Sequence, residues 1–327
     1  MPQPSDNALW QPTATRERLQ QRAQLFAATR EFFASRHVLE VDTPALVRHA
    51  VTDVNLRPVS AELEGSPRYL HTSPEYAMKR LLAAGSGDIY QLCHVFRGEE
   101  QSRLHNAEFM LLEWYRVGFS MDSLIHEVMD LLDAYAIALG GSARPRATQR
   151  YHDVCREHLQ LDPLTASLEA LRERASVHGL DTGSAASLTR DGLCDFLVGT
   201  VVGPTLGKDH WYALTHYPAS QAALAALDPT DPAFALRFEI YADGIELANG
   251  FVELADSREQ RRRFEQDNLA RRAAGLAEYA VDEYLLEALA AGLPPCAGVA
   301  LGFDRAMMVC AGADAIDEVV TFTTERA

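Results

Sequence analysis

One segment in the first third of the chain carries charged residues at spacings that could bind a nucleotide. The run Phe96-Arg97-Gly98-Glu99 is followed by a polar loop and then by Glu108-Phe109. An arginine at a strand end can hold a phosphate and a carboxylate together with its planar guanidinium. Glu99, two residues on, points the same way in an extended chain and can accept a hydrogen bond from an exocyclic amine. A solvated hairpin with surface ion pairs is the alternative interpretation.

Later in the chain, Glu239, Glu246 and Glu253 recur every seven residues, together with Asn249-Gly250-Phe251. Glu239 and Glu246 could face each other across a turn. Two carboxylates that face a triphosphate form a site for Mg²⁺, which takes its other ligands from phosphate oxygens. Taken singly, these acids are typical of solvent-facing strand positions, so both interpretations stay open at this point.

The third candidate is Gly298-Val299-Ala300-Leu301-Gly302-Phe303-Asp304-Arg305. Glycine in a strand permits a flat ligand to approach the backbone closely. Arg305 would lie in the first turn of a helix, whose N-terminus favours anions. Strand packing is the more common explanation of such glycines, so the hypothesis of a nucleotide site depends on all three segments together.

The composition limits the class of protein. The chain has 327 residues, 47% hydrophobic and 23% charged, as in soluble globular proteins, and fits two domains or one large one. With 30 basic and 46 acidic side chains the net charge is −16, which argues against an extended nucleic-acid interface. Lys79 and Lys208 are the only lysines.

The cysteines and the N-terminal segment favour a cytoplasmic protein. The 5 cysteines include no Cys-x-x-Cys pair, which predicts reduced thiols and not a disulfide framework or a zinc site. The N-terminal segment is polar and has no apolar core of the kind found in signal peptides. No apolar run is long enough to cross a membrane, so we expect no membrane association.

Hydrophobic periodicity predicts the elements that must position these residues. Ser73 and Pro74 are typical of a helix start, with Ser73 as N-cap and Pro74 at the first helical position. Asp243-Gly244 predicts a turn between two strands. The predicted helices are 16–36, 75–84, 121–139, 257–274 and 304–311, and the predicted strands are 38–44, 69–72, 89–96, 108–117, 235–241, 244–254 and 299–303. Helices that flank locally paired strands predict an α+β domain with an antiparallel sheet.

In order, the segments resemble the three signature motifs of class II aminoacyl-tRNA synthetases. Glu40-Val41-Asp42-Thr43-Pro44 resembles motif 1, a dimer-interface strand that ends at a proline. Phe96 to Phe109 resembles motif 2, and Gly302-Phe303-Asp304-Arg305 resembles motif 3. The resemblance implies the class II catalytic fold, an antiparallel sheet flanked by helices, and a homodimer.

The residues around these motifs are similar to those of lysyl-tRNA synthetases. Those enzymes carry an N-terminal OB-fold that grips the anticodon, whereas only 15 residues precede the first predicted helix here, so we expect no such domain. Segments 72–81 and 246–251 resemble the bacterial elongation factor P–(R)-β-lysine ligases, a lysyl-synthetase-like family without the anticodon-binding domain. We therefore expect one catalytic domain over residues 1–327, with a helical insertion at about 142–210.

This resemblance implies an ATP-dependent ligase that works in two steps. (R)-β-lysine would be activated on ATP as an aminoacyl-adenylate, and a lysine side chain of elongation factor P would then attack the adenylate to form an amide. No tRNA is expected to take part. Arg97 and Arg305 would be the catalytic residues, acting by positioning and charge neutralisation.

The resemblance also implies the ligands of each substrate. Glu239 and Glu246 would bind Mg²⁺, while acidic residues would pair with the two ammonium groups of β-lysine, because a buried unpaired cation is costly. The ATP-binding residues would be Arg97, Gly98, Glu99, Asn106, Glu246, Leu247, Gly302 and Arg305. The β-lysine-binding residues would be Ser73, Pro74, Glu75, Glu113, Tyr115, Asn249, Glu253 and Ala300.

Two positions depart from the lysyl-synthetase pattern. Ala300 stands where that family has glycine, and the ligase family shares this alanine. A methyl group that faces a compact substrate changes selectivity by about 1–3 kcal/mol. Arg103 lies two residues before His105, whereas the synthetase arginine directly precedes the histidine, which leaves a contact of Arg103 with the γ-phosphate open.

Three other functions fit parts of the pattern. A stand-alone lysyl-tRNA synthetase would require an acidic chain without an OB-fold to bind tRNA. A non-catalytic paralogue that only binds a partner would be expected to lose ATP-site residues, yet Arg97, Glu99, Glu246 and Arg305 are all present. An amide synthetase of the asparagine type would need cations around its acidic substrate.

Overall fold

The computed structural model describes residues 9–99 and 101–327. The helices of this part of the chain are α1 (Arg16–Ala34), α2 (Glu75–Ala83), α3 (Met121–Ala138), α4 (Tyr151–Leu159), α5 (Leu168–Val177), α6 (Thr182–Ser187), α7 (Arg190–Leu197), α8 (Ser257–Ala273), α9 (Glu283–Gly292) and α10 (Phe303–Ala311). The strands are β1 (Leu39–Glu40), β2 (Leu46–Val47), β3 (Val59–Leu63), β4 (Ser66–Leu70), β5 (Ile89–Phe96), β6 (Glu108–Val117), β7 (Arg146–Arg150), β8 (Trp211–Pro218), β9 (Phe234–Ala242), β10 (Ile245–Val252) and β11 (Cys296–Gly302). No helix within these ranges has the length and apolar character needed to cross a membrane.

One large sheet organises the described residues. Its strand order is β1-β5-β6-β11-β10-β9-β8-β7, and a smaller sheet has the order β2-β4-β3. In the large sheet only the two edge pairs, β1 with β5 and β7 with β8, are parallel. The predicted α+β class, with a mainly antiparallel sheet flanked by helices, is confirmed.

The two faces of the large sheet are covered differently. Successive residues of a strand point to opposite faces. On one face, Trp114 of β6 packs in the main core, to which α1, α3 and α10 contribute Phe33, Leu132 and Met307. On the other face, Tyr115 of β6 packs in a smaller core with residues of α2, α8 and α9. Helices α2, α8 and α9 therefore cover part of the second face. The rest of this face carries the polar residues described below.

The predicted elements agree with the observed ones where the sequence pattern is strong. Strands β5 and β6 have the predicted bounds, and the turn at Asp243-Gly244 joins β9 to β10. The predicted strand 38–44 was too long, since only Leu39–Glu40 forms a ladder before the chain reaches Pro44. β8 was missed because it is buried at nearly every position and lacks the alternation that indicates a strand.

The segment predicted to be an insertion is helical after its first strand. Strand β7 extends the large sheet by pairing in parallel with β8. Helices α4, α5 and α7 then pack in a second apolar cluster, which includes Tyr151, Leu171 and Leu197 and also residues of β8 and β9. The segment thus adds a strand to the main sheet and packs its helices against that sheet.

A buried ion pair ties α1 to the start of α10. The Asp304 carboxylate accepts hydrogen bonds from Arg22 Nη1 at 2.5 Å and from the backbone N–H of Met110 at 2.8 Å. The Arg22 guanidinium lies 5.2 Å from the ring centroids of both Phe26 and Phe303. Asp304 therefore fixes the position of α10 relative to β6, and with it the neighbouring Arg305.

Replacing Arg22 by Met should lower the free energy of unfolding by about 3 kcal/mol, because Asp304 would remain as a buried charge without its cation. Urea unfolding followed by circular dichroism measures this loss. The matched control is Arg30→Met, which removes an exposed ion pair with Glu40 and should change stability by less than about 1 kcal/mol. Equal stabilities of the two variants would contradict the role given to the Arg22–Asp304 pair.

Candidate active site

Several predicted site residues form one row across the open face of the large sheet. Glu239 of β9 lies opposite Asn249 of β10, which lies opposite Ala300 of β11, which lies opposite Glu113 of β6. Directly opposed residues point to the same face. Gln91 of β5 completes the row opposite Glu113, and its amide is buried. Gln91 was missed because a lone amide in a strand carries no sequence signal.

A second row lies beside the first and depends on a glycine. Phe251, Gly298 and Tyr115 are opposed on β10, β11 and β6. A Cβ atom on Gly298 would lie 2.3 Å from the Tyr115 ring and 2.5 Å from Glu253 Oε1. The absence of a side chain at Gly298 thus makes room for two side chains of the protein. At Gly302 the nearest atom would be 3.7 Å away, which leaves room beside the backbone.

Glu113 is a deeply buried acid of the site. It accepts hydrogen bonds from Ser73 Oγ at 2.6 Å and from the Tyr115 hydroxyl at 2.7 Å. Burial, followed by the negative charge of Glu75, raises the pKa of the Glu113 carboxyl above its ordinary value. Both hydrogen-bond donors hold this carboxylate in a fixed orientation at the centre of the row.

The start of α2 differs by one residue from the prediction. The helix begins at Glu75 with Pro74 as its N-cap, so Pro74 does not occupy the first helical position. Ser73 Oγ nevertheless accepts a hydrogen bond from the Glu75 backbone N–H at 3.0 Å while it donates to Glu113. A single hydroxyl therefore links the helix start to the row of site residues.

A buried lysine joins two of the predicted β-lysine-binding acids. Lys79 Nζ lies 2.7 Å from Glu75 Oε1 and 2.6 Å from Glu253 Oε2. Burial raises the pKa of Glu253, and the positive charge of Lys79 acts against that rise. Sequence reasoning missed Lys79, although its spacing of four from Glu75 in a helix was a usable signal. Glu75, Glu113 and Glu253 are called the acidic pocket below.

The predicted phosphate-clamping and adenine-binding residues lie at the end of β5. Arg97 Nε donates to the Thr72 carbonyl at 3.4 Å, and its guanidinium lies 5.2 Å from the Phe109 ring centroid. The Gly98 N–H donates to the Arg57 carbonyl at 2.6 Å. The exposed Glu99 carboxylate lies 3.8 Å from Arg57 Nε. The contact with Thr72 places Arg97 next to the segment that carries Ser73, the hydrogen-bond donor to Glu113 in the acidic pocket.

The side chain of Asn106, a predicted ATP-binding residue, makes hydrogen bonds within the protein. Its Nδ2 donates to the Glu108 carbonyl at 2.7 Å, and its Oδ1 accepts from Thr324 Oγ1 at 2.9 Å. Arg103 Nη1 likewise donates to the Asp314 carbonyl at 2.5 Å. The loop after β5 is held by the C-terminal segment, a tertiary contact that no local pattern indicated.

The two predicted metal ligands are close but are not directly opposed. A β-bulge at Leu247 shifts the register between Glu246 and Ala248, so that Glu239 pairs with Asn249. Bulges commonly redirect side chains next to active sites. Burial and the nearby charge of Glu239 raise the pKa of Glu246.

Each of these two acids has a cation beside it. Glu239 accepts hydrogen bonds from Arg237 Nη2 at 2.6 Å and from the Tyr241 hydroxyl at 2.7 Å. Arg305 Nη1 donates to the Glu246 carbonyl at 3.2 Å. The described residues contain no group of three or more His, Cys, Asp or Glu suited to a metal ion. Two hard oxygen donors fit Mg²⁺ when phosphate oxygens complete its coordination.

Comparison with known proteins agrees with this geometry. The sequence matches the family model of tRNA synthetases class II (D, K and N) over residues 8–326. The chain belongs to the class II aminoacyl-tRNA synthetase family. It is 49% identical to the elongation factor P–(R)-β-lysine ligase of Erwinia tasmaniensis, over 98% of this chain and 99% of that protein. The ligase of Salmonella paratyphi B is 46% identical, over 99% of this chain and 100% of that protein. The resemblance drawn from the three motifs is confirmed.

Binding of a ligand with two ammonium groups should release protons. Raised pKa values leave Glu113 and Glu253 partly protonated near neutral pH, whereas an ammonium ligand binds their ionised forms. Affinity for lysine should therefore increase as the pH rises from about 6 to about 8. Calorimetry in two buffers of different ionisation enthalpy measures the released protons. A pH-independent affinity, with no proton release, would contradict this account of the pocket.

Proposed function

We propose that this protein is an ATP-dependent ligase that activates (R)-β-lysine as an aminoacyl-adenylate and transfers it to a lysine side chain of translation elongation factor P. The acidic pocket beside Arg97, on the open face of a class II sheet, is the observation that carries the proposal. Relatives of nearly equal length that bear the name of this ligase support the choice of substrate and acceptor.

The first step joins the β-lysine carboxylate to the α-phosphorus of ATP. An oxygen–phosphorus bond forms, and pyrophosphate leaves. Arg97 would hold the carboxylate and the α-phosphate together, while Arg305, at the start of α10, would neutralise charge on the γ-phosphate. Bound by Glu239 and Glu246, Mg²⁺ would reduce the negative charge that repels the carboxylate nucleophile. Catalysis of this kind requires positioning and charge neutralisation, and no covalent intermediate with the enzyme.

The acidic pocket would orient β-lysine through its two ammonium groups. Glu113 has two hydrogen-bond donors that fix its carboxylate, and Glu253 lies across Gly298 from the Tyr115 ring. In the second step, a neutral lysine amine of elongation factor P attacks the adenylate carbonyl. The new carbon–nitrogen bond is an amide, and AMP leaves with the former carboxylate oxygen.

We further propose that the enzyme is a cytoplasmic homodimer with a single catalytic domain that does not use tRNA. Exposed apolar side chains support the dimer: Leu39 and Leu46, which flank motif 1 in the sequence, are 56% and 38% exposed, and Trp10 in the N-terminal segment is 78% exposed. A cavity of about 680 Å³ between α1 and the C-terminal segment, lined by Phe26 and Phe322, adds to this uncovered surface. Large exposed apolar patches commonly mark protein interfaces.

The proposed function predicts a covalent change in elongation factor P. Incubation of the purified protein with ATP, Mg²⁺, (R)-β-lysine and elongation factor P should increase the mass of the acceptor by one lysyl residue. The Arg97→Met variant is the control and should leave the mass unchanged, because the carboxylate and phosphate lose their shared partner. An unchanged acceptor mass with the unaltered protein, or efficient charging of tRNA with α-lysine, would contradict the proposal.

The choice between lysine isomers should depend on Ala300, whose position in the row lies between Asn249 and Glu113. The Ala300→Gly variant should gain ATP–pyrophosphate exchange with α-lysine relative to β-lysine by about 5- to 150-fold, because removing one methyl group from a compact pocket changes discrimination by about 1–3 kcal/mol. The control is Ala61→Gly, which makes the same change in β3 of the smaller sheet. Unchanged relative rates in the Ala300 variant would refute this role.

A further inference from the structure

The buried ammonium group of Lys79 has no part in the two reaction steps. Its side chain is 1% exposed, whereas the other lysine of the chain, Lys208, is exposed. A buried lysine is rare, and it requires partners that compensate for the loss of water. Glu75 and Glu253 supply these partners from two different parts of the chain.

Few other ionisable groups lie near the Lys79 ammonium group. Its neighbour Met78 packs in the smaller core with Leu285 and Leu289 of α9 and Phe264 of α8, which are apolar. The ionisable groups that face the ammonium group are Glu75 on its own helix, Glu253 after β10 and Cys296 on β11. Beyond these lie Glu113 and Tyr115 of β6, which interact with the same two acids.

The acidic pocket and Lys79 together define a net charge. Three carboxylates against one ammonium group leave two negative charges when all are ionised. A substrate with two ammonium groups and a carboxylate held elsewhere neutralises these charges. Without Lys79, Glu253 would lose its cation while the negative charge of Glu75 stayed nearby, and a buried acid in such a place takes up a proton and can no longer pair with an ammonium group.

Lys79 also decides which carboxylate oxygens remain for a ligand. It contacts Oε1 of Glu75 and Oε2 of Glu253. The other oxygen of Glu253, Oε1, lies above Gly298 next to the Tyr115 ring, on the pocket face of the sheet. The lysine thus holds one side of Glu253 and directs the other side to the place where the substrate binds.

We propose that Lys79 is a positioning residue that selects for substrate charge: its ion pair favours the ionised form of Glu253 and turns the free oxygen of Glu253 toward the substrate, so that compounds with two ammonium groups are selected. This inference rests on the proposed function for the identity of the substrate. It goes beyond that function because it assigns the selection to a residue that need not touch the substrate.

The Lys79→Met variant keeps the length of the side chain and removes its charge. In ATP–pyrophosphate exchange at pH 7 we expect KM for (R)-β-lysine to rise at least 10-fold and kcat to fall less than 3-fold, because the ammonium groups are remote from the reacting carboxylate. The loss should diminish as the pH rises to about 9, since the uncompensated carboxyl ionises there. Lys208→Met is the matched control and should behave as the unaltered protein.

A second variant separates charge balance from a merely structural role. Glu75→Gln combined with Lys79→Met restores two carboxylates without a cation, so its KM should be at least 3-fold lower than that of Lys79→Met alone. Calorimetry should show that binding of (R)-β-lysine releases more protons with Lys79→Met than with the double variant. If Lys79→Met does not fold, the test compares the double variant with Glu75→Gln alone. The double variant should then have the lower KM for (R)-β-lysine.

The outcomes distinguish this inference from the proposed function. Absence of β-lysine-dependent exchange in the unaltered protein would refute the proposed function. An active unaltered protein whose Lys79→Met variant keeps KM, pH profile and proton release unchanged would overturn the role of Lys79. A double variant as impaired as Lys79→Met would also overturn this role, because charge balance would then not explain the loss. If Lys79→Met does not fold, a double variant that is more impaired than Glu75→Gln would overturn it for the same reason.

Discussion

Carboxylates held away from bulk water are the constraint on which the site depends. Glu113 and Glu253 are 2% and 7% exposed, and an ionised carboxylate in such a place requires hydrogen-bond donors or a cation. Helix α2 and the residue before its N-cap supply most of them: Ser73 donates to Glu113, and Lys79 lies against Glu253. The packing of α2 against α9 therefore buries apolar side chains and also positions these donors against the sheet.

The register of the sheet is the second requirement. Four neighbouring strands place Glu239, Asn249, Ala300 and Glu113 in one row, and a shift of one residue in any strand would turn its side chain into the opposite core. The bulge at Leu247 interrupts the alternation of side chains along β10, so that Glu246 and Asn249 do not follow the regular two-residue spacing. A mainly antiparallel sheet with a packed core on its other face gives this row the rigidity that catalysis by positioning needs.

Segments far apart in the sequence hold the residues proposed to bind the nucleotide. Asp304 links α1 to β6 through Arg22 and the Met110 N–H, and Thr324 anchors Asn106. The loop after β5 and the helix that carries Arg305 are thus fixed by the two ends of the chain. The same ends leave apolar surface uncovered beside α1, which agrees with the proposal that a second copy covers it.

The sequence by itself determined the fold class, the strands β5 and β6, the turn at Asp243-Gly244 and the types of residue at the site. These follow from local alternation, turn chemistry and the motifs. The tertiary structure alone decided the buried ion pair of Lys79 with Glu253, the place of Gln91 beside Glu113, and the anchoring of Asn106 to Thr324. Their partners come from other elements, and burial, which sets both charge and orientation, is a property of packing that no spacing along the chain encodes.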